Sequence, residues 1–148
     1  MVRNMVDVVI RQAVIADIPA MHRVRLAVRE NRLTRSRIGE ADYVPEITVT
    51  GRGWVAEQDG VIAGFAIGNL ETGNIWALFV DPDAEGRGHG GLLHDAMVGF
   101  MFDAGLARLH LGTAQGTRAE RFYMARGWRV TGTDGGDVLM ELCKGEGA

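Results

Sequence analysis

Four glycines fall within the six residues Gly86-Arg87-Gly88-His89-Gly90-Gly91, directly before the helical run LLHDAMVGFMFDAG. Glycine lets the backbone approach a ligand closely, because it has no side chain and adopts positive φ readily. The first N–H groups of a helix lack intrahelical acceptors and carry the positive end of the helix dipole. A pyrophosphate or a similar anion is therefore the expected ligand of this loop.

The loop also satisfies the pattern G-x-G-x-x-G of dinucleotide-binding folds, but its context differs. In those folds the first glycine follows a strand almost directly, and an acidic residue for the ribose comes about 20 positions later. Here the five residues 81–85 separate the glycines from the strand-like run IWALFV, and Asp103 lies within or at the end of the next helix. No Lys-Ser or Lys-Thr pair follows Gly91, so the P-loop pattern fails as well.

The elements before the loop begin with a strand in VVIRQAV. Asp17 as a cap and Pro19 in the first turn predict a helix from this point to about Asn31. We expect the arginines of this helix to point outward or along its edges. Its buried stripe is the apolar set at spacings of three and four, Ile18, Met21, Val24 and Val28. Residues 32–50 are typical of a short second helix with loops.

Strands dominate the middle of the chain and its end. The pair Asp59-Gly60 between WVAEQ and VIAGFAIGNL predicts a hairpin, and IWALFV is typical of a central strand. After the glycines, apolar spacing predicts a helix that ends at Gly105. A strand in LHLGT, a helix over residues 118–126 and two last strands follow, so the predicted order is β-α-(α)-β-β-β-α-β-α-β-β.

Length and composition favour one domain, residues 1–148, in the cytoplasm. The single cysteine, Cys143, excludes an intrachain disulfide, and the four histidines show no metal-ligand spacing. No apolar run approaches the roughly 20 residues of a membrane span. The net charge of −3 argues against nucleic acid as a partner, although residues 21–37 hold six arginines against Glu30.

Two motifs together resemble the GCN5-related N-acetyltransferases. FVDPDAEGRGHGGLLHDAM is similar to the acetyl-CoA-binding motif of that family, and RAERFYMARGW is similar to its late helix. The resemblance extends in element order from about Ile10 to Leu142. It implies an α/β fold with a mixed, mostly antiparallel sheet of about six or seven strands, splayed in the middle and flanked by about four helices.

The resemblance also implies which residues bind acetyl-CoA. These are the strand segment, the loop with the helix start, and the start of the late helix: Leu78, Phe79, Val80, Arg87, Gly88, His89, Gly90, Gly91, Leu92, Thr117 and Arg118. Glu85 stands where the family has Gln or Arg, and Arg87 is the replacement cation that we expect. The four arginines within residues 117–129, against Glu120, provide a field that suits phosphates.

The implied reaction is direct transfer of acetyl to a small-molecule or peptide amine, without a metal. Tyr123 occupies the family position of the acid that protonates the leaving thiolate; its alternative role is a core aromatic beside Phe122. The sequence does not decide which group is the base that deprotonates the amine. The candidates are Glu30, Glu71, His110 and a water chain. Cys143 is expected to be a small buried residue rather than a nucleophile.

Two other functions remain open from the sequence. One is a domain of the same fold that binds acyl-CoA without catalysis, as a sensor or interaction module. The other is a nucleotide-binding protein. The acceptor should enter between the first helices, around residues 29–43, and the last hairpin, where the arginine excess favours a carboxylate or phosphate. A homodimer is also left open.

Overall fold

The computed structural model describes residues 8–28 and 38–145. Its elements follow the predicted order: β1 Val8–Gln12, α1 Ile18–Ala27, α2 Tyr43–Thr48, β2 Gly51–Gln58, β3 Val61–Asn69, β4 Ile75–Val80, α3 His89–Asp103, β5 Arg108–Ala114, α4 Arg118–Ala125, β6 Arg129–Asp134 and β7 Asp137–Cys143. Helix α1 ends at Ala27, four residues before the predicted end at Asn31. The arginines at positions 29, 32, 35 and 37 lie outside the described residues.

The strands form two antiparallel sheets that diverge from a single point. One sheet has the order β1-β2-β3-β4 and the other the order β5-β7-β6. Within the described residues, one parallel bridge between Asn74 and His110 joins them. The predicted splay is confirmed here: β4 and β5 leave the bridge side by side and then separate, so a gap opens between the sheets.

The first sheet is held together by the hairpin that the Asp-Gly pair predicts. Asp59 and Gly60 have φ values of 54° and 80°, the mirror-image turn that matches the twist of paired strands. Register then runs from Val61 opposite Gln58 to Asn69 opposite Gly51. The turn therefore sets the register of β3 against β2, and β3 pairs in turn with β4.

Helices cover both faces of the first sheet. Leu93, Met97 and Met101 of α3 are fully buried in one core, which also contains Tyr123 of α4. Met21 and Val24 of α1, with Tyr43 of α2, fill a second core on the opposite face. Each such side chain stabilises the fold by about 1.5–3 kcal/mol relative to exposure. The strand buried along most of its length is β3. β4, predicted to be the central strand, is instead the edge strand of this sheet: its side chains contact both cores, but only Ile75 and Ala77 are buried.

Strand β4 contains a bulge near its start. Ile67 pairs with Ala77 whereas Gly68 pairs with Ile75, so Trp76 is the extra residue. A bulge changes which side chains face each way and increases local twist. As a result Trp76 and Phe79 pack against the α1 and α2 core, whereas Leu78 and Val80 pack against the α3 and α4 core.

One prediction for α1 is wrong. Arg25 does not point outward: it is only 8% exposed, on the face that packs against β4. Its guanidinium carbon lies 5.0 Å from the centroid of Trp76 and 5.1 Å from that of Phe79. Arg25 follows Met21 by four positions, so helical geometry places both on one face.

Asp17 precedes α1, but its side chain makes no capping hydrogen bond to this helix; it forms a partly buried ion pair instead. Asp17 accepts hydrogen bonds of 2.9 Å from Nη1 and Nη2 of Arg11 in β1, and one of 2.8 Å from the Val14 amide. The Arg11 contact outweighs the effect of burial and holds the pKa of Asp17 below its ordinary value. The ionised carboxylate therefore stabilises the folded state.

We expect Asp17→Asn to lower the free energy of unfolding by about 1–3 kcal/mol at pH 7. Because the pKa of Asp17 is depressed in the folded state, its contribution is present above about pH 4 and is lost as pH falls through the folded-state value. Chemical denaturation of wild type and variant between about pH 7 and pH 2.5 measures both effects. Asp59→Asn, in an exposed turn, is the control; an equal loss in both variants would contradict the role of the pair.

Candidate active site

A cleft of about 580 Å³ opens where β4 and β5 separate. Its walls include Leu78, Val80 and Tyr123 from the α3 and α4 side of the sheet, and Arg25 and Trp76 from the α1 and α2 side. Residues from both faces line one cavity, so the cleft passes through the gap between the sheets. Two reactants can therefore approach from opposite faces and meet inside.

The glycine loop forms the mouth of the cleft on the α3 side. Gly86 and Gly88 have φ values of 83° and 85°, which residues with a side chain rarely adopt. Gly88 precedes the first residue of α3, and the first helical bond runs from the Leu92 amide to the Gly88 carbonyl at 3.2 Å. The amides of the three residues between them have no acceptor within the helix, so they can bind an anion.

Most of the loop residues predicted to bind the cofactor lie at this mouth. The cleft is lined by Gly88, His89, Gly90 and Gly91. The His89 ring is 3% exposed, and its Nε2 lies 3.1 Å from the Gln58 Oε1. Burial, with Arg87 nearby, lowers the pKa of His89, which favours a neutral ring.

Arg87 and Leu92 do not line the cleft. The Arg87 guanidinium donates to the Gln58 Oε1 at 3.4 Å, and Leu92 is 45% exposed on the outer face of α3. The cations at the mouth are instead Arg118 and Arg126, which do line it. The replacement cation expected at position 87 thus lies beside the mouth rather than inside it.

Ion pairs organise the charges around the mouth. Glu85 forms a salt bridge with Arg118, so its negative charge is balanced within the protein. Arg126 donates to Asp95 at 3.2 Å and stacks on Phe122 at 5.0 Å. A Cβ at Gly91 would overlap the Arg126 guanidinium, so a side chain there would displace this arginine from its position over the start of α3.

Thr117 sets the start of α4. Its Oγ1 accepts from the Glu120 amide at 3.2 Å and donates to the Ala114 carbonyl at 2.8 Å. The first contact is a helix N-cap, and the second ties this cap to the end of β5. The Thr117 hydroxyl therefore helps to hold α4 beside the gap.

The edge of β4 presents unpaired backbone groups to the cleft. The Asp81 amide donates to the Ala63 carbonyl at 2.7 Å, and Phe79 stands opposite Phe65 in the same register. Backbone groups alternate in direction along a strand, so those of Phe79 face β3 while those of Leu78 and Val80 face the gap. Phe79 contributes its ring to the cleft.

Tyr123 lies deep in the cleft wall. It is 6% exposed, with Phe122 and Trp128 ring centroids at 5.3 and 5.4 Å. Its hydroxyl makes no hydrogen bond to the described residues, and burial raises the pKa of Tyr123 above its ordinary value. The phenol therefore stays protonated at neutral pH.

A histidine positions the aromatic ring beneath Tyr123. Trp128 Nε1 donates to His94 Nε2 at 3.0 Å, and His94 Nδ1 lies 3.0 Å from the Asp95 carboxylate. With Nε2 as acceptor, the proton of the neutral ring must be on Nδ1. Burial lowers the pKa of His94, which favours this neutral form.

Two of the candidate bases from the sequence, Glu71 and His110, do not line the cleft. Glu71 is exposed in the β3–β4 turn, and His110 Nε2 lies 3.2 Å from the Thr72 carbonyl. Glu30 is outside the described residues. Cys143, half-buried in β7, also lies away from the cleft.

Sequence reasoning missed two charged residues that line the cleft, Arg25 and Asp137. The helical spacing from Met21 to Arg25 was a signal for the first. Asp137 stood in the sequence only as the first residue of the last predicted strand, DVLMELC.

The matches to known proteins agree with this geometry. Residues 19–128, most of the chain, match the model of the Acetyltransferase (GNAT) family. The chain belongs to this family. No curated protein has a significantly similar sequence.

Solved GNAT structures share the fold at low sequence identity. The ribosomal-protein-S18-alanine N-acetyltransferase from Escherichia coli is 19% identical with a TM-score of 0.78, over 93% of this chain and 94% of that chain. The PaiA N-acetyltransferase from Thermoplasma acidophilum, in complex with coenzyme A, is 18% identical with a TM-score of 0.76, over 93% and 99%. Ard1 from Thermoplasma volcanium is 21% identical with a TM-score of 0.75, over 92% and 97%.

The described part of this GNAT chain has neither a metal-binding cluster nor a membrane-spanning helix. Residues 8–28 and 38–145 contain no group of three or more His, Cys, Asp or Glu side chains placed to hold a metal ion. Over the same residues, no helix is long and apolar enough to cross a membrane.

The loop geometry predicts a specific effect of Gly90→Val on coenzyme A binding. Gly90 lines the cleft, and a Cβ there already touches Phe122 and Val80 at 3.6 Å. The larger side chain fills space next to the anion-binding amides, so we expect binding to weaken about tenfold or more. Isothermal titration with coenzyme A measures the change.

Gly99→Val, on the same helix with nothing within 4 Å of its Cβ, is the matched control. It should bind coenzyme A normally. Gly88 is less useful, because its positive φ means that a side chain would also strain the loop. Normal affinity in Gly90→Val would show that the glycines only form a turn.

Proposed function

We propose that the protein transfers an acetyl group from acetyl-CoA to a primary amine of a small molecule or peptide, by direct attack in a ternary complex. One observation carries the proposal. The cleft between β4 and β5 brings the glycine-loop amides, the exposed edge of β4 and the buried Tyr123 phenol to one continuous wall. GNAT membership and the coenzyme A complex of the Thermoplasma acidophilum structure support the cofactor.

The glycine loop and the strand edge would hold the two polar parts of the cofactor. The free amides at the start of α3, with Arg126 beside them, suit the pyrophosphate. The outward backbone groups of Leu78 and Val80 suit the amide groups of the pantetheine arm, as an added strand would. Acetyl-CoA supplies the thioester that reacts between the two sheets.

The same strand edge can stabilise the charge that develops during attack. The amine nitrogen forms a bond to the thioester carbon, and negative charge grows on the carbonyl oxygen. An N–H group of Leu78 or Val80 aimed at that oxygen would lower the barrier, because it is fixed in place and shielded from water. The carbon–sulfur bond then breaks, and its electron pair leaves on sulfur.

Tyr123 would give its proton to that sulfur. Burial makes the phenol a weaker acid, but the same surroundings make a thiolate a stronger base. The pKa values of proton donor and acceptor therefore rise together. The amine loses a proton on attack, and water in the cleft can return it to Tyr123. The overall change is amide formation with release of free coenzyme A.

The cellular location, the number of domains and the oligomeric state remain predictions. We expect a cytoplasmic protein with one domain over residues 1–148, and a homodimer stays open. We do not propose a nucleotide as the ligand, because the glycine loop adjoins a gap between two separate antiparallel sheets rather than the continuous parallel sheet of a dinucleotide-binding fold.

The test is coenzyme A release from acetyl-CoA across amino acids, polyamines, aminoglycosides and peptides, with acetylated products detected by mass spectrometry. We expect turnover with at least one class of amine. Tyr123→Phe should then lower kcat by about 10²-fold or more with a good acceptor, while acetyl-CoA affinity and melting temperature are kept.

Each other outcome rejects a defined part of the proposal. Full kcat in Tyr123→Phe would show that a bound water supplies the proton. Loss of stability with normal specific activity would mark Tyr123 as a packing residue. Binding of acetyl-CoA without turnover on the whole panel would favour a non-catalytic acyl-CoA-binding domain.

A further inference from the structure

A buried arginine lines the cleft at the end opposite the glycine loop. Arg25 of α1 is 8% exposed, yet it belongs to the cleft wall together with Trp76 and Phe79. Both rings lie about 5 Å from its guanidinium carbon. An arginine stacked in this way makes its hydrogen bonds in the guanidinium plane, where two N–H groups match the two oxygens of a carboxylate.

The residues behind Arg25 hold it in place. Tyr43 is fully buried, its ring lies 5.1 Å from Trp76, and its hydroxyl lies 3.1 Å from the His22 Nδ1. Burial raises the pKa of Tyr43, and the charge of the adjacent Arg25, which also hydrogen-bonds to the phenol, opposes this effect. Arg25 is therefore positioned by packing rather than left to move in solvent.

An acidic residue lies across the cleft. Asp137 begins β7 opposite Ala114, and its Oδ2 lies 3.9 Å from the position of a Cβ on Gly112. Alternate residues of β5 and β7, Leu109, Leu111, Val138 and Met140, face the α3 and α4 core. Asp137 and Gly112 therefore face the opposite side of this sheet, and both line the cleft.

The two cleft carboxylates differ in their salt bridges. Glu85 is paired with Arg118 at the glycine-loop mouth, whereas Asp137 forms no salt bridge with any residue of the described ranges. Among the described residues that line the cleft, Arg25 therefore supplies a cation on the α1 side, and Asp137 supplies a carboxylate that can attract an ammonium group.

From these positions we propose that the acceptor is a small amine that carries a carboxylate, of the amino-acid class, with its carboxylate on Arg25 and its amine directed by Asp137. This inference rests on the proposed acetyl transfer and names its substrate class. The glycine-loop mouth takes the cofactor from the α3 side, so the α1 side is left for the acceptor. The cleft volume of 580 Å³ also houses the end of the cofactor, which favours a small acceptor.

Matched pairs of acceptors test the role of Arg25. Amino acids and their α-carboxamides share size and amine, and differ in the charge that Arg25 would bind. We expect wild type to prefer the acid by about tenfold or more in kcat/KM, as loss of a charged hydrogen-bonded contact implies. In Arg25→Gln this preference should fall close to one, mainly through a higher KM for the acid.

Asp137→Asn should give a different pattern, because the acid and the amide carry the same amine. We expect KM to rise for both members of each pair and the preference for the acid to persist. Arg52→Gln is the matched control: Arg52 stacks on Phe100 at 4.5 Å, outside the cleft, and its loss should leave both parameters unchanged.

Acetyl-CoA affinity and melting temperature report whether each variant is folded. If Arg25→Gln does not fold, carboxylic acids without an amine replace it as probes of wild type, where they should inhibit competitively against the amine. A lack of such inhibition would overturn the inference.

The inference and the proposed function fail in different ways. Turnover confined to amines without a carboxylate, or an acid preference that survives in Arg25→Gln, would overturn the inference and leave acetyl transfer intact. No turnover with any amine would reject acetyl transfer itself, and the substrate class with it.

Discussion

The loss of pairing between β4 and β5 is the constraint on which the rest of the structure depends. After the bridge between Asn74 and His110, the two strands no longer satisfy each other's backbone groups. Buried N–H and C=O groups need partners, so a strand edge that faces a cavity calls for a ligand with its own amides. The split thus creates both the space and the hydrogen-bonding surface of the site.

Other features position the side chains that line this gap. The Thr117 hydroxyl ties α4 to the end of β5, and this places Tyr123 beside the exposed edge of β4. The bulge at Trp76 turns the side chains of β4 so that aromatic rings line one side of the gap and aliphatic chains the other. The Thr117 hydrogen bonds and the bulge both act on the cleft through the strands that border it.

Local signals in the sequence were strong enough to predict most of the fold. The Asp59-Gly60 turn, the apolar spacing of α3 and the glycine loop depend on neighbours in sequence, and all three appear as expected. Arg25 was placed wrongly, because a stripe defined by apolar residues ignores a cation that stacks on rings from a distant strand. Asp137 and the pairing of Glu85 with Arg118 depend on which strands and loops meet, and spacing along the chain does not encode this.

The central claim is that the thioester lies in the β4–β5 gap beside Tyr123. A crystal structure of the protein with coenzyme A tests it most directly. The account predicts pyrophosphate oxygens on the amides that begin α3, pantetheine amides on the backbone of Leu78 and Val80, and the sulfur within about 3.5 Å of the Tyr123 hydroxyl. Coenzyme A bound elsewhere, or with its sulfur outside the gap, would contradict it.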